Sequence, residues 1–492
     1  MSALKKKMAV LLKKHYSPMR MAAAATAACT LLMAVMLFAP AYLGVANDSA
    51  AEKKMTAYGL AYKSEDKKEM VSANEYFIRT YQKVYTDEQE FGTQTVIVRA
   101  AQALDDFFTR DNLFDVRFLA LCYAILWIPA VFLVIKAAVE RVSYVIEGLV
   151  IAGLGVLILA DVSYISYFNS LYIDPLEYIL LLYIGGSALS LGKKRKYEKV
   201  YMLIFLLSGI AMIFASKRGI IVGIFMVVFS LLLVRVLDGY REKILMCVSG
   251  VLLSAAFLCC MLWGNQEFNE IDKFHSMTRG VLLESLDPVK TLDEFGIDAS
   301  YSVLTDTSLY DGYPVSEVSN PLVQQGFLDQ YDTGELFLYY LKHPKELVML
   351  WDLGVKAGFS LRREYCGNYE KSVGYPAMGK SIFWSAWSIF KERSAPKTIG
   401  YVGLLVIVVF VMVGRKRMTK RAFARKDFVY LITMLMILLM GLGDLSYVIL
   451  KSGDAALSQY NMMIGGCLDL LSYFVFAELI HKLDILVDKA DA

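Results

Sequence analysis

Acidic side chains beside long apolar segments are the residues of this sequence best placed to do chemistry. They are Asp48, Asp161, Asp174, Glu177, Asp444 and Asp454. A carboxylate at the end of a membrane segment is costly to bury and often functional, although a hydrated helix cap is the alternative for each of the six. An ionised carboxylate within hydrogen-bond reach of a hydroxyl group can accept its proton as a general base.

A pair of basic residues, Lys217 and Arg218, is the second chemical signal. The pair lies between two short apolar runs, 200–214 and 219–234. The orientation predicted below places it outside the membrane, where the short connections hold few basic residues. An ammonium and a forked guanidinium at headgroup level suit a phosphate group by charge and by donor geometry. Pairing with anionic lipid or with a neighbouring Asp is the alternative.

These residues must be positioned by a very apolar chain. Of its 492 residues, 57% are hydrophobic and 20% are charged, whereas soluble proteins are about 45–50% apolar and about 25% charged. A membrane-spanning helix needs roughly 20 apolar residues, and the two shortest runs, 200–214 and 219–234, are expected to form a helical hairpin. The ten candidate spans are 21–44, 118–135, 145–162, 176–191, 200–214, 219–234, 244–263, 399–413, 428–443 and 461–480.

The distribution of basic residues predicts the orientation. With the N-terminus inside, the cytoplasmic segments hold 25 Lys and Arg residues, and the short outside connections hold three, Lys217, Arg218 and Lys451. Because basic residues in short loops stay in the cytoplasm, both termini are predicted to be cytoplasmic. A cleaved signal peptide is the alternative for the N-terminus, but the uncharged run 21–46 is longer than a typical signal peptide requires.

The resulting fold class is an α-helical polytopic membrane protein of about ten transmembrane helices with an extracytoplasmic, mainly helical cap. Helical patches are expected at 333–342 and 345–358 of that cap. The predicted parts are a cytoplasmic basic N-terminus with the first span (1–44), a first extracytoplasmic loop (45–117), transmembrane helices two to seven (118–263), a large extracytoplasmic domain (264–398) and transmembrane helices eight to ten (399–492).

Several other chemistries lack their sequence signals. The four His residues are scattered, and no His, Cys and Asp cluster has metal-ligand spacing, so no metal site is predicted. There is no P-loop, no dinucleotide fingerprint and no nucleophile elbow, and a net charge of +3 does not indicate nucleic acid. Aromatic residues of the cap, such as Tyr369, can stack on sugar rings, but most should belong to the core or the interface.

Five stretches, in this order along the chain, resemble a known family. They are FDVRFLALCYAILWIPAVFLVIK (114–136), ADVSYISYFNSLYIDPLEY (160–178), ASKRG (215–219), MTRGVLLESLDPVKTLDEFGIDASYSVLTDTSLYD (277–311) and HPKELVMLWDLGVKAGFSLRREYCGNYEKSVGYPAMGKSIFWSAWSIFKERSAPKTI (343–399). The set is similar to WsfD-like bacterial glycan-biosynthesis hexosyltransferases, which are multispanning glycosyltransferases of the GT-C type.

The resemblance implies a sugar carried on polyprenyl phosphate as the donor substrate. It implies transfer at the outer face of the cell membrane to a cell-envelope glycan, a teichoic-acid-like polymer or a glycolipid. It also implies an acidic base in the loop after the first span, where Asp48 fits and Glu52 is the substitute, with Asp174 as the partner carboxylate. Membrane lipids and proteins that make or flip the donor are the expected partners.

The predicted site therefore has two catalytic carboxylates, Asp48 and Asp174. One base acting opposite the phosphate predicts inversion at the anomeric carbon. The predicted substrate-binding residues are Lys217, Arg218, Asp161, Glu177, Asn169, Arg279, Tyr369 and Asp454.

Three other functions stay open from the sequence. A transporter or flippase of lipid-linked sugar would need charged residues deep within the spans. A noncatalytic envelope assembly or sensor protein would tolerate substitution of Asp48 and Lys217. An O-antigen ligase or polymerase would use a lipid diphosphate donor instead.

The orientation makes one prediction that needs no knowledge of the activity. A Cys introduced near residue 330 should react with a membrane-impermeant thiol reagent added to intact cells, because 264–398 is predicted to lie outside. A Cys near residue 240 is the matched control, and it should react only after the cells are permeabilised. Labelling near residue 330 that needs permeabilisation would overturn the orientation.

Overall fold

The described part of the chain folds into α-helices and one small sheet. A computed structural model describes residues 17–63, 72–86, 91–140, 142, 144–191, 197–235, 237, 239–263, 269–309, 317–420 and 425–490. Residues 1–16 of the predicted cytoplasmic N-terminus, and the basic stretches 192–196 and 421–424, lie outside these ranges. The described helices are α1 Pro18–Phe38, α2 Ser49–Ala57, α3 Thr93–Phe108, α4 Arg117–Val139, α5 Val145–Leu159, α6 Val162–Ile165, α7 Asp174–Ser190, α8 Glu198–Ile213, α9 Gly219–Val234, α10 Tyr240–Trp263, α11 Glu270–Ser276, α12 Pro288–Glu294, α13 Pro321–Gly326, α14 Thr333–Lys342, α15 Pro344–Gly358, α16 Ala386–Ser394, α17 Ile399–Lys420, α18 Arg425–Ser452 and α19 Met462–Ala490.

Six stretches of helix in the described residues are long and apolar enough to cross a bilayer. A seventh counts if α16 and the apolar part of α17, which meet at a bend of 112°, form one broken span. The protein is therefore a multi-pass membrane protein, as the sequence predicted. The six are Pro18–Phe38, Arg117–Val139, Val145–Phe168, Tyr240–Leu262, Asp427–Ser452 and Met462–Lys482.

Three of the other predicted spans are helical but shorter than the six helices above. Helices α7, α8 and α9 have 17, 16 and 16 residues, about 24–26 Å at 1.5 Å per residue, against a hydrocarbon core of about 30 Å. Helices α8 and α9 form the expected hairpin around residues 214–218. The count of ten spans is thus not confirmed.

Helix α7 is the centre of the helical bundle. Every residue of α7 except Tyr183 is buried, and the helix packs against α4, α8 and α19. A Cβ atom added at Gly185 would lie 2.8 Å from the Leu470 side chain, and one at Gly186 would lie 2.9 Å from that of Leu133. The two glycines therefore let α19 and α4 come close to α7, which is apolar all round because protein surrounds it.

The first segment predicted to belong to the cap, 45–117, is not only helical. It contains a three-stranded antiparallel sheet in the order β1-β2-β3, formed by β1 Leu60–Ala61, β2 Thr80–Lys83 and β3 Leu113–Asp115. Helices α2 and α3 belong to the same segment.

The second segment, 264–398, contains the two helices expected there. Helix α14 begins at a capping box formed by Asp332 and Glu335, and α15 begins with Pro344 in its first turn. Such N-terminal signals are readable from sequence.

Candidate functional site

One cleft collects residues from five distant parts of the chain. It has about 930 Å³ of space, part of it open to solvent. Its walls come from α2, from the start of α7, from α11, from the loop after α15 and from the end of α18 with the turn that follows. The lining residues are Ser49, Lys53, Lys54, Tyr172, Ile173, Asp174, Asn269, Ile271, Asp272, Arg363, Lys451, Ala456, Gln459 and Tyr460.

Asp48 lies beside this cleft at the beginning of α2. Its Oδ1 atom accepts the backbone N–H of Ala51 at 3.1 Å, as an N-cap does. Its own backbone N–H donates to the hydroxyl of Tyr172 at 2.8 Å, and that hydroxyl donates to the Ala46 carbonyl. Asp48 is thus a helix cap whose second carboxylate oxygen, Oδ2, points to another partner.

That partner is Arg363, which joins the two predicted catalytic carboxylates. Its Nη1 donates to Asp48 Oδ2, and its Nη2 donates to Asp174 Oδ2 at 3.4 Å and to the Gln459 carbonyl at 2.9 Å. The guanidinium also lies over the ring of Tyr172, 4.0 Å from its centroid. One buried cation therefore holds Asp48, Asp174 and the turn after α18 together.

Burial and ion pairing have opposite effects on the charges of this bridge. Burial alone lowers the pKa of Arg363, but Asp174 and the neighbouring Tyr172, Tyr167 and Asp48 raise it well above its ordinary value. Burial raises the pKa of the Asp174 carboxyl to about 6, although the neighbouring Arg363 guanidinium favours its ionised form. The Asp48 side chain keeps 21% of its surface exposed and the Asp174 side chain 4%, so Asp48 is the more accessible of the two.

Lysines give the cleft an excess of positive charge. Lys53 and Lys54 come from α2 and Lys451 from the end of α18, where its Nζ lies 3.1 Å from Asp272 Oδ2. With Arg363, four cationic and two acidic side chains line the cleft. Such a site favours an anionic ligand with several oxygen acceptors.

The predicted phosphate pair, Lys217 and Arg218, does not line this cleft. Arg218 is buried, donates to both oxygens of Glu177 and to Asp444 Oδ2, each at 2.8 Å, and lies over the ring of Tyr460. Tyr460 lines the cleft, so Arg218 and Glu177 lie behind its wall. Lys217 is exposed.

Asp161 and Asn169 connect parts of the backbone. Asp161 is fully buried and accepts the N–H groups of Ser163, at 2.9 Å, and of Ser388, at 3.0 Å. It therefore caps α6 and ties that helix to α16. The side-chain amide of Asn169 donates to the Leu43 carbonyl at 2.8 Å, which fixes the chain where it leaves α1.

The remaining three predicted residues lie in contacts of their own. Arg279 forms a forked pair with Asp454, with Nε and Nη2 each 2.7 Å from a carboxylate oxygen. Gly453 has a φ of +56°, and a Cβ atom there would overlap the Arg279 backbone, so glycine permits this close approach. Tyr369 stacks on Tyr375 at 4.0 Å. None of the three is a lining residue of the cleft.

The structure thus brings Asp48 and Asp174 together and adds residues that the sequence reasoning missed. Arg363 is one of two adjacent arginines in a segment predicted to lie outside, and this was its only signal. Lys451 had a clearer one, because it was one of three basic residues in the short outside connections. Within the described ranges, no group of three or more His, Cys, Asp and Glu side chains is arranged to hold a metal ion.

Comparison with known proteins assigns the family. Residues 5–492 match the family model described as the YfdI N-terminal transmembrane domain, and the chain belongs to that family. YfdI is a GT-C-like family of membrane glycosyltransferases. No curated protein and no solved structure matches the chain.

Because Arg363 joins two carboxylates, we expect its substitution to lower the stability of the protein strongly, although it belongs to no sequence motif. Arg363→Gln should destabilise the protein by about 3 kcal/mol, because breaking a buried ion pair leaves its charges uncompensated. The measurement is the midpoint of thermal unfolding in detergent. Arg393→Gln, an exposed arginine on α16, is the control and should change the stability by less than about 0.5 kcal/mol.

A second comparison separates the bridge from packing alone. Adding Asp48→Asn and Asp174→Asn to the Arg363→Gln variant should recover part of the lost stability, since the carboxylates that lost their partner are then neutral. Equal midpoints for Arg363→Gln and Arg393→Gln would show that the bridge does not stabilise the fold.

Proposed function

We propose that this protein transfers a hexose from a polyprenyl-phosphate donor to a cell-envelope glycan, a teichoic-acid-like polymer or a glycolipid. The single observation that carries the proposal is the cleft in which Arg363 joins Asp48 to Asp174 beside three lysines. Family membership supports a membrane glycosyltransferase, and the WsfD-like specificity is part of the proposal.

Asp48 is the proposed general base. It is the more exposed carboxylate of the bridge, with 21% of its side-chain surface exposed against 4% for Asp174. The acceptor hydroxyl gives its proton to Asp48 while its oxygen bonds to the anomeric carbon, and the bond from that carbon to the phosphate oxygen breaks. Polyprenyl phosphate leaves with the electron pair. One displacement of this kind inverts the anomeric configuration.

Asp174 and Arg363 position the base in this proposal. Asp174 is nearly fully buried at the first residue of α7, and it shares the guanidinium with Asp48. The rigid helix therefore fixes the Arg363 side chain, and Arg363 fixes the orientation of the Asp48 carboxylate.

The phosphate of the donor is assigned to Lys53, Lys54 and Lys451. These ammonium groups line the cleft, whereas the guanidinium of Arg218 is shared between Glu177 and Asp444. Lys217 remains a candidate for the approach of a lipid headgroup, because its side chain is exposed.

We also propose that the cleft opens at the outer face of the membrane, with both termini inside. Lys53, Asp174, Arg363 and Lys451 come from segments that the basic residues assign to the outside, and they meet in one cleft. Helix α7 begins at Asp174 in this cleft. Near its other end, Leu189 lines a second cavity together with residues of segments assigned to the cytoplasm. Segments assigned to the outside thus lie at one end of α7 and segments assigned to the cytoplasm at the other, which supports the orientation.

The structure gives the transporter alternative no specific support. The charged side chains within the apolar helices are paired: Asp469 lies 2.7 Å from Lys391 Nζ and 2.6 Å from the Tyr164 hydroxyl, and Glu147 lies 2.6 Å from His481 Nδ1. Paired charges of this kind can stabilise the helical bundle without binding a transported ligand.

Loss of the proposed base should abolish transfer. Asp48→Asn should lower the rate by at least about 100-fold, the usual contribution of a general base, while the protein still folds, because Asn can cap α2 and Asp174 still pairs with Arg363. The measurement is mass spectrometry of envelope glycans from a strain that lacks the protein and carries each variant. Glu52→Gln, in the same helix, is the matched control and should restore the sugar.

Near-normal glycans with Asp48→Asn would remove Asp48 from the base role. If Asp174→Asn alone then abolished transfer, Asp174 would be the base instead. A deletion strain whose glycans match the parent's would overturn the proposed function itself.

The lysines make a separate prediction about the donor. Lys53→Gln with Lys54→Gln should raise the apparent KM for a polyprenyl-phosphate hexose about tenfold or more, because a hydrogen bond to a charged group contributes about 1.5–3 kcal/mol. Lys217→Gln is the comparison, and it should leave the donor KM within about threefold. The reverse pattern would return the phosphate site to Lys217.

A further inference from the structure

Helices α14 and α15 form a hairpin that exposes an unusually apolar surface. Five of its large apolar side chains have between 41% and 61% of their surface exposed. They are Phe337, Leu338, Leu341, Val348 and Met349. In a segment surrounded by water, a cluster of this kind is rare and marks a surface that contacts something else.

The hairpin lies beside the end of a membrane-spanning helix. The indole N–H of Trp351 donates to Ser446 Oγ at 2.9 Å, and at Gly354 the helices come so close that a Cβ atom would overlap Leu445. Leu445 and Ser446 belong to the candidate span Asp427–Ser452 and precede its end by about 9–10 Å at 1.5 Å per residue. Helix α15 therefore packs along the span and not above it.

The apolar surface continues onto the next apolar helix. Asp352 of α15 accepts the backbone N–H of Ile399, the first residue of α17, at 2.6 Å. Along α17, Leu404 and Ile407 are 54% and 60% exposed, as expected of residues that face lipid. Helix α15 also packs against α17, so the hairpin lies beside a helix with large exposed apolar side chains.

The lysines of the hairpin can reach lipid headgroups. Lys342, Lys345 and Lys356 are exposed, at the end of α14 and near the two ends of α15, and Glu335, Glu346 and Asp352 balance their charge. Helices that lie in a membrane interface combine an apolar face with lysines that reach anionic headgroups.

We propose that the α14–α15 hairpin inserts its apolar face into the lipid leaflet at the Lys451 end of α18. The sequence assigned this hairpin to a cap above the membrane, and the contacts with Leu445 and Ser446 place it at the membrane surface. The insertion does not depend on transferase activity. Because α18 also carries Lys451 into the cleft, an inserted hairpin fixes the height of the cleft at the level of the lipid headgroups.

The test is the depth of spin labels on the hairpin in the full chain. Leu338→Cys and Met349→Cys are made in a background without the native cysteines, labelled with a nitroxide and reconstituted into nanodiscs of phosphatidylcholine and phosphatidylglycerol. Oxygen, which concentrates in lipid, and a water-soluble nickel chelate are the two relaxation probes. Val251→Cys, 67% exposed on the spanning helix α10, is the lipid reference, and Asp329→Cys, exposed between α13 and α14, is the water reference.

Insertion predicts an oxygen-to-nickel accessibility ratio at positions 338 and 349 that is severalfold above that at 329 and approaches that at 251. A ratio equal to that at 329 would mean that the face lies in water. Low accessibility to both probes would mean that protein, such as a second copy of the chain, covers the face. Either result would overturn the proposal.

A second measurement covers the case in which the cysteine-free background does not fold. A photoreactive benzoylphenylalanine at position 338, in the chain with its native cysteines, should form lipid adducts detected as a mass increase. The same group at position 251 is the positive control. Adducts at 251 but none at 338 would contradict the insertion.

Discussion

The pairing of buried charge is the constraint on which the candidate site depends. Asp48, Asp174 and Arg363 come from parts of the chain separated by more than a hundred residues, and each carries a charge into a poorly hydrated place. An unpaired charge there would cost several kcal/mol, so the fold is most stable when the three meet. The cleft is therefore a consequence of the packing of these segments and not a feature of any single one of them.

The same constraint explains why some conspicuous charges are poor candidates for ligand binding. Arg218 and Asp469 are as noticeable in the sequence as Asp48, yet Arg218 is enclosed by Glu177 and Asp444, and Asp469 pairs with Lys391. A ligand would have to replace these internal partners. The lysines of the cleft wall are more exposed than Arg218 and Asp469, so an anion can reach their ammonium groups.

The sequence could predict the helices, because they follow from local composition. It could also predict Asp48 and Asp174, since each lies next to an apolar run. It could not predict Arg363, because a long polar segment gives no sign of which arginine turns inward. Nor could it predict the partners of Arg218. The distribution of basic residues between loops concerns the end of the helix at which Arg218 lies, but not the side chains that Arg218 contacts.

Helix α7 shows how a helix buried in protein can be shorter than a usual span. Its residues are apolar because α4, α8 and α19 surround it. With 17 residues it is shorter than the span of about 20 that a lipid-facing helix needs. Its N-terminus, which carries the partial positive charge of the helix dipole, lies at Asp174 in the wall of the cleft. The positive end of the central helix therefore adds to Arg363 in stabilising the negative charge that Asp174 carries in the wall of the cleft.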